Sequence, residues 1–158
     1  MTLYYAGRGW NGAAWCLSAF AIAFIGARLL HDSIRRFGGH RVAVACLALS
    51  CLGILVVWSS EQPGMALLGS TLTGLGRALL YPALGVEIVA RVDAANRATA
   101  LGTFAMFFDL TMGVSGPLMG VIASAIGVRH TFLCAALLGL AGLSLSVWVL
   151  RRDRQGPA

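Results

Sequence analysis

Leu72-Thr-Gly-Leu-Gly76-Arg77-Ala-Leu-Leu-Tyr81-Pro82-Ala-Leu-Gly85-Val-Glu87 and Asp109-Leu-Thr-Met-Gly113-Val-Ser-Gly116-Pro117-Leu-Met-Gly120 belong to one apolar stretch, residues 72–120. Its helices are oily throughout, yet they carry Arg77, Glu87 and Asp109. A charge inside an apolar helix is costly in a bilayer, so it marks a substrate or proton path, or an internal ion pair. The stretch decides the class of the fold: helices that cross a membrane and pack through small residues.

The rest of the chain agrees. Of 158 residues, 58% are hydrophobic and 11% are charged. A soluble domain carries about 25% charged residues. So few charges cannot cover a surface facing water, and the chain reads as an integral membrane protein. The net charge of +6 comes entirely from arginine. A basic balance can indicate nucleic acid, but these arginines sit mostly in short loops between apolar runs, so no nucleic-acid partner is expected. Cys16, Cys46, Cys51 and Cys134 all lie in apolar runs with no metal-ligand spacing, and read as small buried hydrophobes. No metal site and no ATP-binding element is evident, and no cofactor is expected.

A spanning helix needs about 20 mainly apolar residues. Five candidates meet or approach that length: residues 11–30, 42–58, 64–89, 98–126 and 131–150. The expected fold is therefore an all-α polytopic bundle forming one membrane domain over residues 1–158. The third and fourth runs exceed the minimum, with Pro82 and Pro117 as expected kink points. Residues 1–10 are too short to span. They read as the interfacial end of a helix, with Tyr4, Tyr5 and Trp10 as aromatic anchors. No cleavable secretory signal is expected, because the first apolar run begins late and ends in charge.

Arginine counts predict the orientation. The loop 31–41, the loop 90–97 and the tail 151–158 together hold eight arginines, against Arg8 and Arg129 on the other side. The positive-inside rule puts the eight, and the C-terminus, in the cytoplasm of a cell inner (plasma) membrane protein. An outside start without a signal, followed by an odd number of spans, is the pattern expected of a piece of a longer chain.

Arg77 and Asp109 both fall near the bilayer midplane on antiparallel neighbours, at 1.5 Å rise per residue. Two readings stand. Asp109 is a proton- or substrate-binding carboxylate modulated by Arg77, or the two form a static ion pair or one of them faces a water-filled cleft without catalytic consequence. Glu87 lies nearer the cytoplasmic end. It serves gating or coupling, or it is an interfacial carboxylate held by Arg91 one turn later.

The loop His31-Asp32-Ser-Ile-Arg35-Arg36-Phe37-Gly38-Gly39-His40-Arg41 resembles the cytoplasmic signature loop of the major facilitator superfamily, D-R-x-G-R-R. Arg36, Phe37 and Gly38 match R-x-G. Arg35 stands in the acidic position, with Asp32 one turn upstream, which suggests the more degenerate second-half copy. The resemblance implies a gating loop of Asp32, Arg35, Arg36, Gly38 and Arg41; otherwise it is an ordinary positive-inside loop. Gly113, Gly116, Pro117 and Gly120 resemble the glycine-proline motif of antiporter members, which shapes helix packing. The run from Leu72 to Glu87, with Asn96-Arg97, Ala100-Leu-Gly102 and Phe108-Asp109, resembles the YfcJ/YhhS-like branch of bacterial efflux transporters. By that resemblance the chain is the C-terminal half, helices about eight to twelve.

The implied function is secondary active transport of a small solute, proton-coupled efflux rather than uptake. The implied partners are the bilayer, the solute and a missing N-terminal half, in cis or in trans, because rocking of two halves about a midplane site needs both. A non-transporting remnant or an accessory subunit is the alternative. An enzyme reading also exists: Gly113-Val-Ser115-Gly116 fits the G-x-S-G of intramembrane serine proteases. Such a serine needs a histidine base, and His31, His40 and His130 all lie in predicted loops, so no catalytic residue is expected.

Overall fold

The computed structural model describes residues 2–10, 12–29 and 38–154, and over these the regular structure is entirely helical. The elements are α1 (Thr2–Gly7), α2 (Ala13–Arg28), α3 (Gly39–Ser59), α4 (Pro63–Arg91), a short 3-10 turn (Ala94–Asn96), α5 (Arg97–Ile126) and α6 (Val128–Arg154). Helices α3 to α6 are long and apolar enough to cross a membrane. The chain is an all-α, multi-pass membrane bundle.

The first expected span is the exception in length. Gly12, at φ +93°, starts α2, which then has 16 helical residues. That is about 24 Å, short of a hydrocarbon core of about 30 Å. The third and fourth apolar runs fall in α4 and α5, of 29 and 30 residues. Pro63 opens α4 in its first turn, where a missing N–H costs no helical bond. Both helices continue through their internal prolines, Pro82 and Pro117. Neither proline ends its helix, and membrane helices tolerate such interruptions when neighbours or side chains compensate. Gly127, at φ +90°, separates α5 from α6.

Helix α4 lies at the centre, packed most extensively on α3 and then on α2; α6 packs on α3. Helix α5 stands at the margin, with only sparse contacts to α4 and α6. Small residues explain the close pairing. A Cβ on Gly76 would lie 2.6 Å from Cys46 O, and one on Gly69 would lie 2.7 Å from Gly53 O. On the other face, Gly74 meets the backbone of Phe20 in α2. Lipid tails are as apolar as leucine, so packing of this kind holds membrane helices together. The hydroxyls buried in the contact are satisfied within their own helices: Ser50 donates to Cys46 O, Ser70 to Ala66 O and Thr73 to Gly69 O, at 2.8–2.9 Å.

Helix α1 departs from its expected interfacial role. Tyr4 and Tyr5 are 3% and 2% exposed. Tyr4 donates to Ser60 O at 3.1 Å and Tyr5 to Pro63 O at 2.8 Å. The Cys16 thiol donates to the Tyr5 hydroxyl at 2.9 Å. Phe132 and Trp10 meet Tyr4 edge-on. These tyrosines lock α1 onto the α3–α4 turn rather than anchoring it at a lipid surface. Cys16, Cys46 and Cys51 are buried and Cys134 is half-buried.

Candidate functional site

Arg77 sits midway along α4 and Asp109 near the middle of α5. The two helices are antiparallel and meet at an aromatic cluster. The Tyr81 ring lies 5.1 Å from Phe104 and 5.0 Å from Phe108. A second contact brings Gly85 against Leu101. Arg77 is one turn from Tyr81, and Asp109 follows Phe108. The cluster thus sets the two charges at nearly the same depth, within about one turn, or 5.4 Å.

Both side chains are exposed, and they form no ion pair with each other. A carboxylate and a guanidinium at mid-helix depth instead face outward beside three aromatic rings. Such a surface can bind a polar or ionic solute, or exchange a proton, once something encloses it.

Glu87 answers differently. Its carboxylate bonds Arg91 at 2.7 Å, one turn later on the same helix. It also lies against Gly39, where an added Cβ would come 3.2 Å from Glu87 Oε2 and 2.7 Å from Ala83 O. The carboxylate therefore sits beside the first turn of α3, whose partial positive charge favours it. Gly38 takes φ +84° immediately before α3. Glycine adopts that backbone without the steric penalty a Cβ brings. Arg41 is exposed on the first turn of α3. The other gating-loop candidates, Asp32, Arg35 and Arg36, lie outside the described residues.

The glycine-proline motif shows the opposite of close packing. No atom of another element lies within 4 Å of a Cβ built at Gly113, Gly116 or Gly120. No residue of α5 is buried. The motif lies on a helix that this chain leaves uncovered. Ser115 donates to Met112 O at 3.0 Å. The two described histidines are engaged elsewhere: His40 Nε2 donates to Ser146 O and His130 Nδ1 to Ile126 O. Ser115 has no histidine base among the described residues.

The α1 lock, with Tyr4 and Tyr5 reaching Ser60 and Pro63, was not foreseeable from spacing. Its partners are 56 and 58 residues apart in sequence.

Comparison with known proteins agrees with this architecture. The profile of the Major Facilitator Superfamily matches residues 6–158. The chain is 51% identical over 156 residues to an uncharacterised MFS-type transporter of Pseudomonas aeruginosa, covering 98% of this chain and 39% of the relative. It is 48% identical over 154 residues to another from Burkholderia mallei, covering 97% and 38%. The chain thus spans about two fifths of the length of the curated relatives it matches. No solved structure matches it. Proteins of this kind are carriers and not enzymes, and the chain belongs to the major facilitator superfamily.

Proposed function

We propose that this chain is one wall of a secondary transporter for a small solute, whose other wall comes from the portion its relatives carry beyond it. One observation supports this most: among the described residues Arg77 and Asp109 make no ion pair, and they stand at the same depth, on the side where α5 is bare. Two charges left open in a bilayer have no stable reason to face lipid. A second half over α4 and α5 encloses them, and Gly113, Gly116 and Gly120 then receive the helix that this chain does not supply.

In this reading Asp109 takes up and releases a proton as the cavity opens to each side in turn. Arg77, at the same depth, is the nearby cation that modulates it. The Tyr81, Phe104 and Phe108 rings offer an apolar, polarisable wall to the solute. Glu87 holds the start of α3, at the arginine-rich end. That end is cytoplasmic by the positive-inside rule, in the inner membrane. The direction is efflux, by resemblance to the YfcJ/YhhS-like branch.

The test is proton-driven flux in vesicles carrying the longer protein. Asp109→Asn is expected to abolish coupled flux while leaving solute exchange measurable. Unchanged proton-driven flux in that variant removes Asp109 from the coupling path. An immunoblot against residues 151–158 checks the premise in source membranes. A band roughly two to three times 16.5 kDa fits a two-half transporter; a band at 16.5 kDa favours a remnant or accessory subunit.

A further inference from the structure

At the arginine-poor end of the bundle a cavity of about 310 Å³ is lined by Tyr4, Arg8, Gly127, Arg129 and His130 among others. This end carries only two arginines in its connecting segments, Arg8 and Arg129. Membrane proteins have few arginines on their poor side, and here both line one cavity although 121 residues separate them.

Aromatic rings and neutral acceptors hold both guanidinium groups in place. Arg8 lies 5.5 Å from the Tyr4 ring centre and 5.4 Å from that of Trp10, and Nη2 donates to the Tyr4 hydroxyl at 3.4 Å. Arg129 lies 5.7 Å from the Trp58 ring centre, and its Nε donates to Trp58 O at 3.2 Å. Neither has a carboxylate partner among the described residues; Glu61, on the neighbouring α3–α4 turn, pairs with neither. Cation–π contacts orient a guanidinium without neutralising it. Most donors of each fork therefore remain available, in the geometry that suits phosphate. Gly127 and the first turn of α6 (Val128, Arg129 and His130) line the cavity together with Ile126 at the end of α5, and the start of α6 favours an anion.

We infer that this cavity is an anion site for a phosphate group, separate from the charges at mid-helix depth. The phosphate belongs either to a phospholipid headgroup at the membrane surface or to a soluble anion. The lock of Tyr4 and Tyr5 on the α3–α4 turn holds one side of the site rigid, so the site exists before the ligand arrives.

The experiment uses the whole chain in phosphate-free maltoside micelles. It follows tryptophan emission, because Trp10 and Trp58 carry the two arginines. The probes are sodium phosphate and a short-chain phosphatidylglycerol, with a short-chain diacylglycerol as the phosphate-free control. A saturable response to sodium phosphate identifies a soluble anion. A response to phosphatidylglycerol alone identifies a lipid headgroup. In either case R8Q/R129Q is expected to weaken binding at least about tenfold, R8K/R129K to recover part of it, and R97Q, at the other end, to bind as the parent. The site is overturned if neither probe gives a saturable response. It is also overturned if R8Q/R129Q binds as the parent, or if R8K/R129K recovers nothing, since the loss is then structural and not one of charge.

Discussion

Helices α4 and α5 have similar length and similar glycine content, yet one is the most enclosed element of the bundle and the other the least. On α4, Gly69, Gly74 and Gly76 each meet the backbone of another helix. On α5, Gly102, Gly113, Gly116 and Gly120 meet nothing. Glycine composition therefore says that a helix is fit for close approach, while only the partner decides whether the approach occurs. In a membrane this matters more than in water, because no hydrophobic drive pulls a bare helix inward. The apolar surface of α5 alone therefore does not draw it inward.

The largest expected effect tests the enclosed side. Gly76→Leu puts a side chain where the Cys46 carbonyl and the Ser50 backbone already stand. The α3–α4 pair must separate, at a cost of about 3 kcal/mol or more. Gly116→Leu in the same chain changes stability by no more than about 0.5 kcal/mol, since nothing opposes it. Unfolding in SDS, followed by circular dichroism, compares the two. Equal losses would show that α5 is packed in solution and that the contrast between the helices is false.

The next effect sharpens the contrast by supplying a partner. If the longer protein covers α5, Gly116→Leu, harmless here, lowers its transport rate by about tenfold or more, the equivalent of about 1.4 kcal/mol in the transport cycle. Flux in vesicles carrying the longer protein reads this directly. Flux at the parental rate means that the motif faces lipid in both contexts, and the covered-face reading fails.

The contrast also shows what can be read from residues alone. The lengths of the apolar runs located α3, α4, α5 and α6, because bilayer thickness imposes a length that composition cannot hide. For the first span, the described residues give a helix over Ala13–Arg28, shorter than the other four. Depth was legible too: Arg77 and Asp109 fall at mid-helix by counting residues. Their separation was not, since the antiparallel pairing is sparse and the Tyr81 cluster, not the charges, makes the contact. Tyr4 and Tyr5 were misplaced for a related reason. A tyrosine suits a wet interface and a buried lock equally, and the acceptors that distinguish them, Ser60 O and Pro63 O, belong to a distant turn.

That lock belongs to the enclosed side and supplies a smaller prediction. Tyr5→Phe keeps the ring and removes the donor to Pro63 O and the acceptor for Cys16. A loss of about 1 kcal/mol is expected, measured by the same SDS titration. Tyr5→Phe with no loss would mean that α1 rests on the bundle through ring packing alone.

The smallest effect concerns Glu87 and Arg91, at the end of α4 where it meets the start of α3. The two bond at 2.7 Å, but their side chains are 20% and 46% exposed. At that exposure solvent screens the pair, and one-turn helix pairs contribute about 0.3–0.5 kcal/mol. A double-mutant cycle with Glu87→Gln and Arg91→Gln should return a coupling of that size. The contact of Glu87 with Gly39 then has to come from the enclosed geometry of α3 and α4, which brings those backbones together whether or not the charges pair. The carboxylate is thus held in place by packing and only weakly by its arginine. A measured coupling above about 1.5 kcal/mol, beyond what such an exposed pair supplies, would make the pair a fixed brace. It would also remove Glu87 from any gating role.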